Sequence, residues 1–231
     1  MSCGSLTLSG SATAGTVSAT LTVQDAVFDG PGCLQVPLVI SFTAAGSLDL
    51  SASKSGSSNT ISAYAYSNGP ENVTDALQVC PNVDGEGTYQ LRGTVSDGSV
   101  SAPLPAGLQL TVSRAPTSMS RLTARQRGST LTIAGKVTAP TSLGEIGARG
   151  TVTMQGMLPK KLGGTGKWVN LGTTYPDEFG AFVLKGSLQQ NIKGAQVRTA
   201  FAGDAWCADA TGTTLVNRSP RSTAGATSTA G

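Results

Sequence analysis

Two pairs of carboxylates stand close together in the sequence, Asp84 with Glu86 and Asp177 with Glu178. Paired carboxylates act as acid and base in glycosidases, and carboxylate oxygens bind hard cations, which makes Asp84 and Glu86 a candidate cation site as well. Each pair, however, lies beside glycine in a turn, where water solvates both carboxylates. We therefore expect two solvated turns, no metal site and no catalytic residue.

The chain contains no histidine among its 231 residues. Ser-His-Asp and Cys-His nucleophiles and HExxH zinc sites all need an imidazole, so these mechanisms are excluded. Ser-x-x-Lys and Gly-x-Ser-x-Gly motifs do not occur where a strand would lead into a helix. The sequence predicts a protein that is not an enzyme and that carries no cofactor.

Lysines mark one candidate binding site. Lys160, Lys161 and Lys167 flank the segment from Leu158 to Gly166, the longest polar loop in the second half of the chain. Long loops on β-sandwiches are common places for binding sites. A loop that is merely solvated is the alternative.

Aromatic residues mark a second candidate. Tyr64 and Tyr66 form the one aromatic pair that strand alternation places on the same face. An exposed pair, together with Trp206, could stack on sugar rings, whereas a buried pair would belong to the core. The sequence leaves both possibilities open.

The elements that position these residues are predicted by a ten-residue pattern that occurs twice, at residues 84–93 and 177–186. Each copy reads Asp, two variable residues, Gly, a small residue, an aromatic, a variable residue, Leu, a basic residue and Gly. The fourth-place Gly supplies backbone freedom at a turn, and the aromatic and the Leu point to one face of the strand that follows. The pattern indicates two domains of one type.

Composition favours strands throughout. Charged residues make up 13% of the chain, and 30 Gly and 11 Pro interrupt it every few residues, which disfavours helices. Short alternating runs separated by turn residues, such as Leu34 to Phe42 and Thr60 to Tyr66, are typical of an all-β protein. The sequence thus predicts two β-sandwich domains in tandem, of the immunoglobulin-like type that the resemblance given below implies: residues 1–113, a linker at 114–118, residues 119–217 and a flexible tail at 218–231.

Four cysteines, at positions 3, 33, 80 and 207, contain no CxxC pair, which disfavours a zinc ribbon. Three disulfide connectivities are possible. We favour Cys33 with Cys80, because Cys33 opens a predicted strand and Cys80 ends a segment just before the first ten-residue pattern. Buried free thiols are the alternative, and Cys3 and Cys207 could be free, joined to each other or joined to another chain. A disulfide would indicate an oxidising compartment or an exposed particle.

Charge divides the chain into an acidic and a basic half. Residues 1–113 hold two basic and eight acidic side chains, a net charge of −6, and residues 114–231 hold 14 basic and five acidic ones, a net charge of +9. Opposite charges could dock the two domains on each other or on neighbouring copies, or could attract an anionic cell-wall polymer. A difference in surface charge between two solvated domains is the alternative. Nucleic acid is disfavoured, because aromatics are 5% of the chain and are not interleaved with the basic residues.

The second half resembles the bacterial immunoglobulin-like repeats of actinobacterial surface and secreted proteins. The resemblance rests on Ala134 to Val137, Gly150 to Met154, Gly166 to Leu171, Asp177 to Phe182 and Val197 to Asp204. It implies that Trp168 is a core residue beneath a sheet. The first half resembles a companion module in which cysteines placed like Cys33 and Cys80 are bonded. Similar modules decorate tailed-phage capsids and tails.

These observations predict a non-catalytic extracellular structural or adhesion protein that acts as a spacer and contact surface. The N-terminal residues show neither a basic segment nor an apolar run of the kind found in export signals, and no stretch is apolar enough to span a membrane. Two locations therefore remain expected, the surface of a cell and the surface of a virion. Other protein subunits are the expected partners, and a carbohydrate-binding or cell-wall-binding module is the alternative function.

Overall fold

The computed structural model describes residues 6–157, 166–187 and 196–218, and all regular structure in these ranges is β-strand. The first ten strands are β1 (Thr7–Ala14), β2 (Val17–Gln24), β3 (Ala26–Val27), β4 (Leu34–Phe42), β5 (Gly46–Lys54), β6 (Thr60–Ser67), β7 (Glu71–Val79), β8 (Gly87–Ser96), β9 (Ser101–Pro103) and β10 (Gln109–Ser113). The remaining eight are β11 (Ser118–Arg127), β12 (Thr130–Thr141), β13 (Gly144–Gly147), β14 (Val152–Met157), β15 (Trp168–Thr174), β16 (Ala181–Ser187), β17 (Gln196–Phe201) and β18 (Ala210–Arg218). None of the described residues lies in a helix that could cross a membrane.

The described residues form two compact units. Unit 1 contains residues 6–116 together with 140–144 and 205–208, and unit 2 contains the rest. The fold class predicted from the sequence is confirmed: the protein is all-β, with immunoglobulin-like sandwich domains. The predicted domain limits, with a linker at 114–118 and a tail from residue 218, stay a prediction, and the tail from residue 219 lies outside the described residues.

Unit 1 is a sandwich of two sheets. One sheet has the strand order β1-β2-β4-β7, and the other has the order β3-β10-β8-β5-β6, with β9 paired to β8. In immunoglobulin notation, β2, β4 and β7 are strands A, B and E, whereas β5, β6, β8 and β10 are strands C, C′, F and G. β3 pairs with β10 in parallel and so continues strand A into the second sheet.

Alternation builds the core of unit 1. In β4, every second residue from Val36 to Phe42 is buried, and the residues between them are exposed. β2 and β5 show the same period of two, so each sheet turns one apolar face toward the other. Lys54, at the end of β5, is the one charged residue on the inner faces of these two strands, and apolar packing holds the rest of the core.

Unit 2 repeats this topology in a more closed form. Its eight strands follow the order β13-β12-β11-β18-β17-β14-β15, with β16 paired to β12. β11 pairs with β12 antiparallel along its length and with β18 in parallel at Ala124 to Gln126, so strand A joins both sheets. An irregularity between Ser120 and Thr123 interrupts the first pairing, and Arg121 there has a φ of 54°.

Both copies of the ten-residue pattern lead from a turn into a strand, as predicted. The fourth-place glycines, Gly87 and Gly180, have φ values of 144° and 79°. At Gly180 a side chain is also excluded by space, because a Cβ would lie 1.9 Å from the carbonyl oxygen of Val137. The two copies nevertheless precede different strands, strand F (β8) in unit 1 and strand E (β16) in unit 2. The pattern is therefore a strand-entry signal and does not mark equivalent strands.

Tyr89, the aromatic of the first copy, fixes the corner between strands E and F. Its ring is buried, and its hydroxyl donates to the carbonyl oxygens of Asp84 at 2.9 Å and Gly85 at 2.6 Å. Burial, and secondarily the charge of Asp84, raises the pKa of Tyr89 to about 12. A tyrosine near the start of strand F that bonds back to the preceding loop is the tyrosine corner of immunoglobulin-like sandwiches.

The disulfide predicted between Cys33 and Cys80 is present. Cys33 precedes β4 and Cys80 follows β7, and these strands pair from Leu34 and Val79 onward. The bridge therefore ties the ends of two neighbouring strands in one sheet. Cys207 is fully buried, which argues against a bond from it to another chain, and Cys3 lies outside the described residues.

Three short strands differ from the prediction. β3, β9 and β13 have two to four residues each, too few to show an alternating pattern, and were not predicted. β7 begins at Glu71, and its first half is polar because it lies at a sheet edge.

Candidate functional site

Tyr64 and Tyr66 lie on the outer face of the second sheet of unit 1, exposed by 57% and 55%. Tyr64 pairs with Asp49 and Tyr66 pairs with Ser47, both on β5, so all four side chains share one face. The core-packing alternative is therefore wrong for this pair. The structure brings the two tyrosines together on an open surface, as the binding hypothesis requires.

Tyr64 also lines a groove of about 760 Å³ on the same face. We call it the Tyr64 groove, and its polar lining residues are Asp49, Ser51, Ser62, Gln90, Arg92 and Thr94. Its volume is within the range of sites that bind small organic ligands. Tyr66, two residues further along β6, extends the aromatic edge beyond the groove.

The opposite side of the Tyr64 groove is formed by a bulged strand. β9 and β10 both pair with β8, and between them the five residues from Leu104 to Leu108 lie opposite only Leu91 to Gly93. The extra residues make Pro105, Ala106 and Gly107 line the groove. Bulges of this kind redirect a strand locally and are common beside binding sites.

Two close contacts anchor the bulge. Leu104, which is buried, packs over Gly93, where a Cβ would lie 2.7 Å from the Leu104 Cδ1. Leu108 packs over Gly10, where a Cβ would lie 2.5 Å from the Leu108 Cδ1. The absence of a side chain at both glycines therefore lets the two leucines hold the ends of the bulge against the sheets.

Opposite charges lie side by side in the Tyr64 groove. Asp49 pairs with Thr94, and Arg92 pairs with Ser51, so the carboxylate and the guanidinium are diagonal neighbours on adjacent strands. Both residues are exposed, and neither forms an ion pair within the described part of the chain. The groove thus offers an acceptor, a planar donor, three hydroxyls and one aromatic ring to a ligand.

A side chain of the neighbouring sheet fixes the strand that carries Tyr64. The backbone N–H of Tyr64 donates to Oδ2 of Asp75 on β7 at 3.2 Å, and the N–H of Ala76 donates to Oδ1 of the same carboxylate at 2.8 Å. β6 is an edge strand, so this N–H would otherwise lack a partner in the sheet. Asp75 therefore holds the aromatic edge of the groove in place.

Two protein cations, Lys54 and Arg114, bind the turn at Asp84 and Glu86. Lys54 donates from Nζ to the carbonyl oxygens of Asp84 and Glu86, the second at 3.1 Å, and lies 5.7 Å from the centre of the Tyr89 ring. The Glu86 carboxylate pairs with Arg114 at 2.8 Å. Within the described ranges, no three His, Cys, Asp or Glu side chains are grouped to bind a metal.

The other carboxylate pair shapes its own turn. Oδ1 of Asp177 accepts from the backbone N–H groups of Phe179 at 2.9 Å and Ala181 at 2.8 Å. Oδ2 of Asp84 likewise accepts from the N–H of Cys80 at 2.7 Å. In each pair the aspartate therefore works as a turn residue.

The structure describes only one of the three lysine candidates. Lys167 is exposed just before β15, whereas Lys160, Lys161 and most of the loop that they flank lie outside the described residues. The structure thus places only one of the three lysines, and the binding role predicted for them stays a prediction.

Both tryptophan predictions are wrong. Trp206 is 3% exposed and cannot stack on a sugar. Trp168, expected in the core, is half-buried on the edge strand β15, with the Arg198 guanidinium 4.5 Å from its ring centre. Arg198 in turn donates from Nε to Oε1 of Gln155 at 2.6 Å, which fixes it over the ring. Pairing of β15 with β14, which carries Gln155, places Trp168 on the outer face.

Asp49 and Arg92 were missed as candidates from the sequence. Neither belongs to a motif, and 43 residues separate them in the chain. The alternating pattern of β5 and β8 does place both on outer faces, but only the pairing of these strands shows that they are neighbours.

No family model matches the chain, and no curated protein matches its sequence. Among solved structures, the chicken interferon gamma receptor alpha chain is similar over 90% of this chain and 98% of that one, with 9% identity and a TM-score of 0.34. The beta-glucuronidase 3 of Bacteroides uniformis is similar over 85% of this chain but only 24% of its own length, with 12% identity and a TM-score of 0.29. At such TM-scores neither likeness bears on the function of this chain.

Proposed function

We propose that this chain is a non-catalytic binding and structural module that acts on the exterior of a cell or a virion, and that the Tyr64 groove is its contact site for carbohydrate. The observation that carries the proposal is the exposed aromatic pair beside a groove with polar side chains. Large aromatic side chains on a rigid sheet are usually buried, so their exposure here favours a ligand.

The chemistry of the Tyr64 groove suits a sugar chain. A pyranose ring presents an apolar face that can pack on the Tyr64 ring and hydroxyls at its rim. Asp49 can accept hydrogen bonds from two neighbouring hydroxyls, and Arg92 can donate two in parallel. Because Asp49 and Arg92 are not paired to each other, a ligand need not break an ion pair to bind them.

The exterior location is supported by the disulfide. Cytosolic reductants keep thiols reduced in most cells, so a Cys33–Cys80 bridge is expected to form and persist outside the cytosol. A cell surface and a virion surface both satisfy this condition. Immunogold labelling of intact cells and of particles from their lysate tests the location, and labelling confined to the cytoplasm would contradict it.

A binding experiment tests the site. The full chain is incubated with purified, protein-free actinobacterial cell wall from which acidic polymers have been extracted, and bound protein is measured for the native chain and for Tyr64→Ala and Arg92→Ala. We expect each substitution to weaken binding about tenfold, which corresponds to roughly 1.4 kcal/mol. Tyr175→Ala is the matched control, since Tyr175 is an exposed tyrosine of unit 2.

Two outcomes would contradict the carbohydrate assignment. One is native protein that does not bind the wall after acidic polymers have been extracted from it, since neutral polysaccharide is the expected ligand of the groove. The other is equal binding by Tyr64→Ala and Tyr175→Ala, which would show that wall binding uses another surface.

A further inference from the structure

The outer face of strands β11, β12 and β16 in unit 2 carries a compact array of donor groups. β11 contributes Arg125 and Arg127, and β16 contributes Lys185, all three exposed. We call these three cations, with the hydroxyl residues between them, the basic face.

Strand register places the members of the basic face in two rows. Arg125 pairs with Thr132, which pairs with Lys185 on the other side. In the next row, Arg127 pairs with Thr130, which pairs with Ser187. Each row therefore runs across three strands, and the six side chains are three cations and three hydroxyls.

Alternation confirms that this face points outward. The residues between the cations, Ala124, Gln126 and Leu184, are buried. The same alternation leaves Thr130 and Ser187 exposed and Thr132 half-exposed. None of the three cations forms an ion pair within the described ranges.

The strands β11, β12 and β16 carry no Asp or Glu. The segments outside the described residues contain none either. Glu145 lies on β13, beside β12, and accepts from Thr138, six residues along β12 from Thr132. Asp177 and Glu178 lie in the turn before β16, at the same distant end of the sheet. The three strands of the basic face therefore supply no negative charge that balances its cations.

We propose that the basic face binds a base-free phosphodiester polymer, such as a poly(glycerol phosphate) of a bacterial cell wall. Residues two apart on a strand are separated by roughly 7 Å, and residues two strands apart by roughly 10 Å. One small anion cannot contact cations that far apart, but successive phosphates of a flexible chain can. Threonine and serine hydroxyls between the cations donate further hydrogen bonds to phosphate oxygens.

A nucleic acid fits the basic face less well. Binding of single strands uses aromatic side chains on which the bases stack, and the two rows contain none. A polymer of repeated phosphates without bases needs only donors and positive charge, and the basic face supplies both. This surface is separate from the Tyr64 groove, so the inference does not depend on the carbohydrate assignment.

The test measures binding of the full chain to a synthetic poly(glycerol phosphate) oligomer at several NaCl concentrations. With three phosphate contacts, we expect the logarithm of the association constant to fall with the logarithm of salt at a slope of about −2. Arg125→Gln and Lys185→Gln should each weaken binding several-fold and reduce that slope by roughly 0.7 to 1. Because these side chains are exposed, thermal unfolding midpoints should stay those of the native chain.

The matched control is Arg149→Gln, which removes one exposed positive charge of unit 2 away from the basic face. We expect it to change affinity less than twofold, and Tyr64→Ala to leave this binding unchanged. The proposal is overturned if Arg149→Gln weakens binding as much as Arg125→Gln, or if the triple variant R125Q/R127Q/K185Q binds like the native chain. It also fails if inorganic phosphate displaces the bound oligomer as effectively as unlabelled oligomer does at the same total phosphate concentration. Tighter binding of oligo(dT) than of the glycerol phosphate oligomer would likewise overturn it.

Discussion

The ammonium group of Lys54 lies 3.1 Å from the carbonyl oxygen of Glu86 and also bonds to the carbonyl oxygen of Asp84. Carbonyl oxygens gathered in a tight turn resemble part of a calcium loop, but here a lysine fills their centre. Asp84 and Glu86 thus stand beside a protein cation, and the turn is held closed from β5.

Substituting Lys54 by Met should loosen this turn. The variant keeps an apolar side chain of similar length but leaves two carbonyl oxygens without a charged donor, so we expect a loss of about 1 to 2 kcal/mol in the free energy of unfolding. Urea unfolding at neutral pH measures the loss. Lys185→Met, which removes an exposed lysine without such bonds, is the control and should change the midpoint little.

Tyr89→Phe tests the tyrosine corner. The variant loses the hydrogen bond that the Tyr89 hydroxyl shares between two carbonyl oxygens of the preceding loop, and it should be about 1 kcal/mol less stable at neutral pH. The pKa of Tyr89 is raised from 10.0 to about 12, so its neutral form stabilises the fold below pH 10. That stabilisation should be lost as the pH rises from about 10 toward 12.

The measurement for Tyr89 is a pair of stability profiles in the alkaline range. The native chain should lose its advantage over Tyr89→Phe as the pH rises, until the two profiles meet. Parallel profiles across this range would show that Tyr89 does not titrate with unfolding.

The double variant C33S/C80S tests the bridge. The bonded cysteines are 47 residues apart, and a loop of this size contributes roughly 3 to 4 kcal/mol by restricting the unfolded chain. We expect a lower urea midpoint for unit 1 and an unchanged unfolding transition for unit 2. A loss below about 1 kcal/mol would show that the bridge adds little to the stability of this sheet, against the chain-entropy estimate.

Gly93→Ala tests how the Tyr64 groove is built. The new Cβ would lie 2.7 Å from Leu104 Cδ1 and 3.1 Å from the carbonyl oxygen of Asp49, so the bulge must shift at a cost of about 1 to 3 kcal/mol. Wall binding through the groove should weaken with it. Gly69→Ala is the control, because no atom lies within 4 Å of a Cβ there. Equal stabilities of the two variants would contradict the packing role of Gly93.

The sequence predicts those features that depend on the alternation of residues within a single strand. The limits of β4 are those predicted, because its apolar residues alternate without a break between Cys33 and a turn. The exposure of Tyr64 and Tyr66 was left open, since alternation shows that two residues share a face but not which face meets water. That choice depends on how β6 pairs with β5, which no local pattern contains.

The two proposed sites depend on even longer-range relationships. Arg125 and Lys185 are 60 residues apart in the chain and become neighbours only through β12. The bulge beside the Tyr64 groove depends on Gly10 and Gly93. In the sequence, each of these glycines looks like an ordinary break in a strand pattern. Charge counting showed that the second half is basic, but not which sheet face carries the charge.

Asp97 provides a test in acid. Its Oδ1 accepts from the N–H groups of Val100 at 2.8 Å and Ser99 at 2.9 Å and from the Ser99 hydroxyl, and these bonds, the one from Val100 first, lower the pKa of Asp97 from 3.8 to about 2. The ionised form is therefore the one that stabilises the fold. Its contribution should be complete above pH 3.8 and should be lost as the pH falls toward 2.

The measurement for Asp97 compares thermal midpoints of the native chain and Asp97→Asn through this acidic range. The asparagine variant keeps an oxygen acceptor but does not titrate, so its midpoint should fall less steeply between pH 4 and pH 2. Because other carboxylates titrate equally in both proteins, the difference between the profiles isolates Asp97. If the two midpoints fall in parallel, the hydrogen bonds at the turn between β8 and β9 do not depend on the charge of Asp97.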